Sequence, residues 1–323
     1  YTGNGSSTGP SVNLGFEPQF VMIKSASGSE AWYVYDSMRG MVVGGDDAEL
    51  AWNSTSAENG ILGTSKAILD PTPTGFNITN TSSTANTSSH TYIYMAIRRG
   101  GMQTPTVASS VFEVTTQGAV DNIDPGFKTS FPVDFAFRKD TDGSNGITGS
   151  RLTGPGKMYL DATNAEVTND ADMVWDFNNG WWGNSSTDST KYAWMWKRAR
   201  GYFDAVAYTG NSVAGRTINH NLGVAPEMMW VKRRSDANNW TMYHKGLDAT
   251  APEDYGIYLD DTAQRVDSVN FWNDTAPTSS VFTVGVASKT NADTATYIAY
   301  LFATVAGVSK VGSYTANGSA QNI

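Results

Sequence analysis

Along His90–Arg99 the chain reads HTYIYMAIRR, and its side chains alternate: Tyr92, Tyr94 and Ala96 fall on one side, Ile93, Met95 and Ile97 on the other. Period two in aromatic and β-branched residues predicts a strand, with both faces apolar enough to be sandwiched. The same kind of strand is predicted by KYAWMWKRAR from Lys191 and by ATYIAYLFAT from Ala295. Shorter apolar runs, FVMIK ending at Lys24 and MMWVK ending at Lys232, predict buried strands, each preceded by an edge-setting proline, Pro18 or Pro226. WYVYD at Trp32 and WTMYH at Trp240 add strands that pair back across turns at Ser27-Gly28 and Asp236–Asn239. Phe76 and Ile78 mark one more, matched by Phe282 and Val284. No long amphipathic helical pattern occurs.

The matches are internal repeats, which must be settled before any fold is argued. YTGNGS at Tyr1 returns as YTGNSV at Tyr208 and as YTANGS at Tyr314. Tyr208 to Tyr314 is about half the span from Tyr1 to Tyr208, so a middle copy is expected, and GFKTSFPVDFAFRK ending at Lys139 supplies it in diverged form. AWNSTSAE near Trp52, YLDATNAE near Tyr159 and YLDDTAQR near Tyr258 complete the series. The expectation is an all-β chain of tandem β-sandwich, jelly-roll-like repeats of about 100 residues each. They would occupy 1–103, 104–205 (diverged) and 206–312, with 313–323 the first strand of a further copy. The linkers would be Arg99–Pro105 and a strand-like Arg198–Ala207. A start at Tyr1 and an unfinished last copy lead to the expectation that the chain is part of a longer polypeptide.

Composition narrows the function classes. Charged residues make up 16% and the formal net charge is −9, against the concentrated basic face that nucleic-acid binding requires. The short clusters Arg98-Arg99, Lys197–Arg200 and Lys232–Arg234 are read as edge protection and solubility. No cysteine is present, which excludes disulfides and thiolate zinc. No apolar run reaches membrane-spanning length, so no membrane insertion is expected.

Candidate chemistry is sparse, and no catalytic residue or cofactor is expected. His90, His220 and His244 show no paired ligand spacing, and no nucleophile elbow is present. Carboxylates gather at Asp46, Asp47 and Glu49, at Asp170, Asp172 and Asp176, and at Asp260-Asp261. A glycosidase needs such a pair across a sugar cleft, but positions recurring between copies are more simply turn residues. DTDGSNG, Asp140–Gly146, faintly resembles a calcium loop and makes Asp140 and Asp142 a weak metal candidate, although a hairpin turn explains it. The aromatics lead further. Trp175 and Trp272 occupy matching positions, as do Trp32 and Trp240, which suggests packing, whereas Trp181-Trp182 has no match. Neighbours in a strand point to opposite faces, so one indole would face outward and stack on a sugar, with Asn178, Asn179 and Asn184 bonding its hydroxyls. The simpler alternative is that both tryptophans are buried.

Taken together, YTGNGS, YVYDSMRG, TYIYMAIRRG, WNDTAPTSSVFTVG and YIAYLFATVAGVSKVGSYT resemble a repeat of large virion proteins of tailed phages, notably marine ones, and of related prophage proteins. The resemblance covers essentially the whole chain. It implies a tail-fibre or tail-associated structural protein in a virion or extracellular setting, part of a homo-oligomeric assembly, with a host-surface glycan as a conceivable receptor. It carries over no catalytic residues. A carbohydrate-binding module of a secreted or cell-surface filament and a glycan depolymerase are the competing readings.

Overall fold

A computed structural model describes residues 1–58, 66–99, 102–118, 125–183 and 187–322. The chain is a tandem array of antiparallel β-sandwich units, each with one large and one small sheet. The first repeat contains β1 (Ser11–Asn13), β2 (Pro18–Ser25), β3 (Tyr33–Asp36), β4 (Leu50–Ala51), β5 (Leu69–Thr72), β6 (Gly75–Ile78) and β7 (Tyr92–Arg98). Its sheets run β4-β3-β2-β7 and β1-β6-β5. The second contains β8 (Phe112–Gln117), β9 (Phe127–Lys128), β10 (Phe135–Asp140), β11 (Ile147–Ser150), β12 (Met158–Tyr159), β13 (Gly180–Trp181) and β14 (Asp188–Trp196), in sheets β12-β11-β10-β14-β8 and β13-β9. The third contains β15 (Phe203–Thr209), β16 (Arg216–Asn219), β17 (Met228–Arg233), β18 (Thr241–His244), β19 (Tyr255–Tyr258), β20 (Val266–Asp267), β21 (Val281–Val284) and β22 (Thr296–Phe302). These form β15-β22-β17-β18-β19-β20 and β16-β21. The α-helices described are single turns, Val269–Trp272 and Ser288–Asn291.

Register shows the repeats to be equivalent. Ile23 opposes Tyr94, Arg138 opposes Ala193, and Val231 opposes Ala299. One face of each large sheet closes over the small sheet. Val21 and Ile23 meet Phe76 and Ile78; Met229 and Val231 meet Phe282 and Val284; Ala136 and Met195 meet Phe127 and Trp181.

The recurring Tyr-Thr-Gly has a physical basis. The Tyr1 and Tyr208 rings stack on Tyr92 and Tyr297 at 5.2 and 5.0 Å, and their hydroxyls donate to the Ala85 and Thr290 carbonyls at 2.8 and 2.7 Å. A Cβ at Gly3 or Gly210 would stand 2.3 or 2.0 Å from the carbonyl oxygen of Thr87 or Ala292, so the next position admits glycine alone. The phrase at Tyr314 departs from this: Ala316 stands in place of that glycine, Tyr314 is exposed, and the described residues 313–322 form no strand, whereas a strand is expected there.

β15 spans the expected boundary between residues 205 and 206. It pairs along its whole length with β22, so Phe203–Ala207 is the first strand of the third repeat and not a linker. β8 stands in the same relation to β14. In the first repeat Thr2 bridges Thr91 at the position that Thr209 and Thr296 occupy in the third.

The outer faces of the second and third large sheets pack on each other. Phe135, Phe112, Phe137, Leu160 and Trp196 share one core with Tyr300, Phe302, Trp230 and Leu259. Phe135 meets Tyr300 at a centroid distance of 4.0 Å. Polar bonds border this core: Trp240 Nε1 donates to the Tyr159 carbonyl at 2.8 Å, and the fully buried Lys232 donates to the Thr163 carbonyl at 3.1 Å.

Candidate functional site

The tryptophan hairpin lies inward. Trp181 and Trp182 are 0 and 3% exposed, within a core that includes Trp175, Phe127, Phe131 and Met195. The expectation that one indole faces solvent fails because strand alternation stops at Trp181. Trp182 has φ +87°, a left-handed turn that swings its ring to the same side as its neighbour. The two rings meet edge-on at 5.2 Å, and the Arg138 guanidinium lies 4.7 Å above the Trp182 ring. Asn178 is exposed, and the half-buried Asn179 contributes its backbone carbonyl to Thr129 N–H at 2.8 Å. Asn184 lies outside the described residues. No sugar-stacking platform is assembled from these two tryptophans.

The acidic candidates hold backbone in place. The Asp140 carboxylate accepts from Arg138 at 2.9 Å, while Asp142 sits in an exposed turn. Asp47, fully buried, accepts from the backbone N–H groups of Val42, Ile68 and Leu69 at 3.2, 2.7 and 2.8 Å. Glu49 accepts from the Tyr35 hydroxyl at 2.6 Å and from Lys66 at 2.9 Å. Asp260 accepts from Trp240 N–H at 3.0 Å. His220 is buried, with Nδ1 accepting from Leu222 N–H at 3.3 Å, and burial lowers its pKa. Among the described residues no three His, Cys, Asp or Glu side chains gather as a metal site.

The dominant polar constellation lies where all three repeats meet. Glu17 comes from the loop before β2 and Arg99 from the residue after β7. Asp134 and Arg151 flank β10 and β11, Arg198 follows β14, and Asp204 sits in β15. Arg198 donates to both Glu17 oxygens at 2.7 Å and through Nε to Asp204 at 2.6 Å. Its backbone N–H reaches Asp134 at 2.7 Å, and Asp134 also accepts from Arg99 at 2.7 Å. Arg151 donates to the carbonyls of Val133 and Phe177 at 2.9 and 3.1 Å, with Asp134 4.0 Å away. The second Asp204 oxygen accepts from Asn221 N–H at 2.7 Å.

Three cations face three anions, so the knot is balanced and offers no unmet charge to an ionic ligand. Burial works against the Glu17 carboxylate, but the charge and hydrogen bonds of Arg198 outweigh it and hold the carboxyl below its ordinary value. Burial opposes ionisation of Asp134 too, and is overcome by Arg99, Arg151 and Arg198. Burial lowers Arg151 to about 10 against the pull of Asp134, leaving it charged at neutral pH.

Open clefts flank the knot. One of about 580 Å³ is bordered by Gln19, Met102, Pro105 and Lys197. Another of about 370 Å³ is bordered by Arg98, Arg200 and His220.

Sequence reasoning missed this junction. The clusters read as edge protection place Arg198, Lys232 and Arg234 at 4, 0 and 4% exposure, and Arg234 pairs with Glu166 at 2.8 Å. The available signal was the recurrence of arginine just after the terminal strand, at Arg99 and Arg198, with an acid just before the strand that pairs with it, at Glu17 and Asp134.

No curated protein and no solved structure matches the chain. A family model matches residues 1–99 and 129–323, most of the sequence, and the chain therefore belongs to the family described as a domain of unknown function (DUF7483).

Proposed function

We propose that this protein is a non-catalytic structural repeat array of a phage virion appendage, a tail fibre or a tail-associated protein, acting by cohesion and attachment. The observation that carries the reading is a knot of buried ionisable groups at the junction of the repeats. Glu17, Asp134, Arg151, Arg198 and Asp204 lie in one knot that ties the three repeats together. A general acid or nucleophile needs a group left partly unsatisfied and facing a cleft, and these carboxylates are saturated with donors. The likeness of the repeated phrases to phage virion repeats supplies the setting. Attachment to a host-surface glycan remains part of the proposal, at a surface other than the buried Trp181-Trp182 pair.

The test is immunogold labelling of intact particles induced or propagated from the source organism, with antibody raised against residues 1–323. Label on a tail appendage is the expected result. Particles without label, with the protein recovered instead from the cell surface or medium, would favour the secreted-filament reading.

A further inference from the structure

The first and third repeats face each other across a cleft of about 420 Å³, walled on one side by β1, β5 and β6 and on the other by β15 and β16. Strand register builds the first wall. Ser11 opposes Asn77 and Asn77 opposes Asp70, so three polar side chains stand in a row across the outer face of the small sheet, while Val12, Phe76 and Ile78 turn to the core. The second wall alternates in the same way, with Ile218 in the core and Thr217 and Asn219 exposed. Thr72 and Thr209 complete the lining. Among the described residues, the side chains of Ser11, Thr72, Asn77, Thr209, Thr217 and Asn219 make no hydrogen bond. Fixed contacts between the repeats bracket the cleft. Just past the end of β5, Asn221 Nδ2 donates to the Pro73 carbonyl at 3.4 Å and to Glu17 at 3.3 Å. Near the start of β5, where Gly44 N–H donates to Asp70 at 2.9 Å, Arg234 donates to the Val43 carbonyl at 3.1 Å.

We infer that this cleft binds a neutral saccharide, held between the first and third repeats. The inference gives a place to the glycan attachment proposed above and rests on that reading for the source of the sugar. The ligand class follows from the lining. Side-chain amides and hydroxyls each donate and accept, which is what sugar hydroxyls require of a partner. The charged residues in the lining are one of each sign, and both are engaged: Asp70 accepts from Gly44, and Arg216 donates to the Thr209 carbonyl with its guanidinium 5.9 Å from the centre of the Tyr208 ring. The walls therefore carry no excess charge for an ionic ligand, and they lack the apolar centre that a protein partner would bury. Where the second and third repeats meet, the facing side chains are spent on an apolar core, and in the ionic knot they are spent on each other. Here they are unspent, in a concavity between two units, where small-molecule sites concentrate. Because the bracketing contacts already fix the spacing of the walls, binding costs little reorganisation. Neutral hydrogen bonds make a single site weak, and repeated copies on one surface supply avidity.

The test is a printed array of bacterial surface polysaccharides, neutral and acidic, probed with labelled residues 1–323 at low and high salt. Asn77→Ala and Thr217→Ala alter opposite walls, and Thr262→Ala, exposed between β19 and β20, is the control. The expected result is that the unaltered chain and the control bind one or more neutral polysaccharides equally at both salt concentrations. Each wall variant should bind the same polysaccharides at least tenfold more weakly, with its circular dichroism unchanged. A second measurement decides the matter even if a wall variant misfolds: hydrogen exchange of the unaltered chain, with and without the bound polysaccharide, should slow along Ala207–Thr209 and Thr217–Asn219 and stay the same at Thr262. An array without binding, binding confined to acidic polysaccharides and lost at high salt, indifference to both wall substitutions, or protection elsewhere in the chain would overturn the inference. The two readings fail separately. Immunogold label on a tail appendage with an empty array would remove this site and keep the structural array, whereas binding at the cleft with label on the cell surface would do the reverse.

Discussion

The second and third repeats are joined through an apolar core, the first to the others through ion pairs, and the same sheet face is treated oppositely in the two regions. Phe135 is fully buried against Tyr300, while its equivalent Phe20 is half-buried beside the exposed Trp52, 6.1 Å away. The difference shows that the repeated pattern specifies a face able to bury itself, and leaves its partner to be chosen by the neighbouring surface. It also separates two kinds of joint. An apolar one is set by area and shape, and an ionic one by proton and charge balance.

The widest gap is expected between two identical substitutions. Phe135→Ala should cost about 3–5 kcal/mol by urea denaturation, whereas Phe20→Ala in dilute solution should cost about 1 kcal/mol or less, since little burial is lost. Equal costs would remove the distinction between the two faces. Next comes the ionic joint: Glu17→Gln takes a charge-assisted pair from Arg198 and should cost about 1–3 kcal/mol, with the loss absent when Phe135 and its neighbours are probed alone by hydrogen exchange.

Acid should act on the same joint. The Glu17 and Asp134 carboxyls are held below their ordinary values. Their contribution is therefore full above the ordinary carboxylate range near pH 4 and is lost as pH falls through the depressed values. Limited proteolysis with pepsin at decreasing pH should cut between the first repeat and the rest before the second and third come apart. Simultaneous release of all three would show that the ion pairs do not set the order. The smallest effect belongs to the open face, where Trp52→Ala should change stability by no more than about 0.5 kcal/mol in dilute solution.

Strand periodicity made much of this architecture legible. Tyr92–Arg98 alternates because both its faces are built from apolar side chains, and Phe20–Lys24 lies beside it in the sheet. The Tyr-Thr-Gly phrase was legible as a repeat but not as a ring stack over a glycine that must be bare. Trp181-Trp182 misled because alternation assumes a continuing strand, and one positive φ at Trp182 cancels it. The ionic junction was illegible for a different reason. Glu17, Asp134 and Arg198 are far apart in sequence, and a charged residue at a strand end looks the same whether it meets solvent or a neighbouring repeat. Which face of which repeat is covered lies in the arrangement of the repeats and not in any one strand.

The central claim is that one sheet face is core in the second and third repeats and open in the first. Peroxide footprinting of methionines, read by mass spectrometry on dilute protein, tests it most directly, because oxidation follows exposure. Met95 on the open face is 43% exposed, whereas Met158, in the core shared by the second and third repeats, is 0% exposed. The account predicts that Met95 oxidises many times faster than Met158. Met95 protected as fully as Met158 in dilute protein would contradict it.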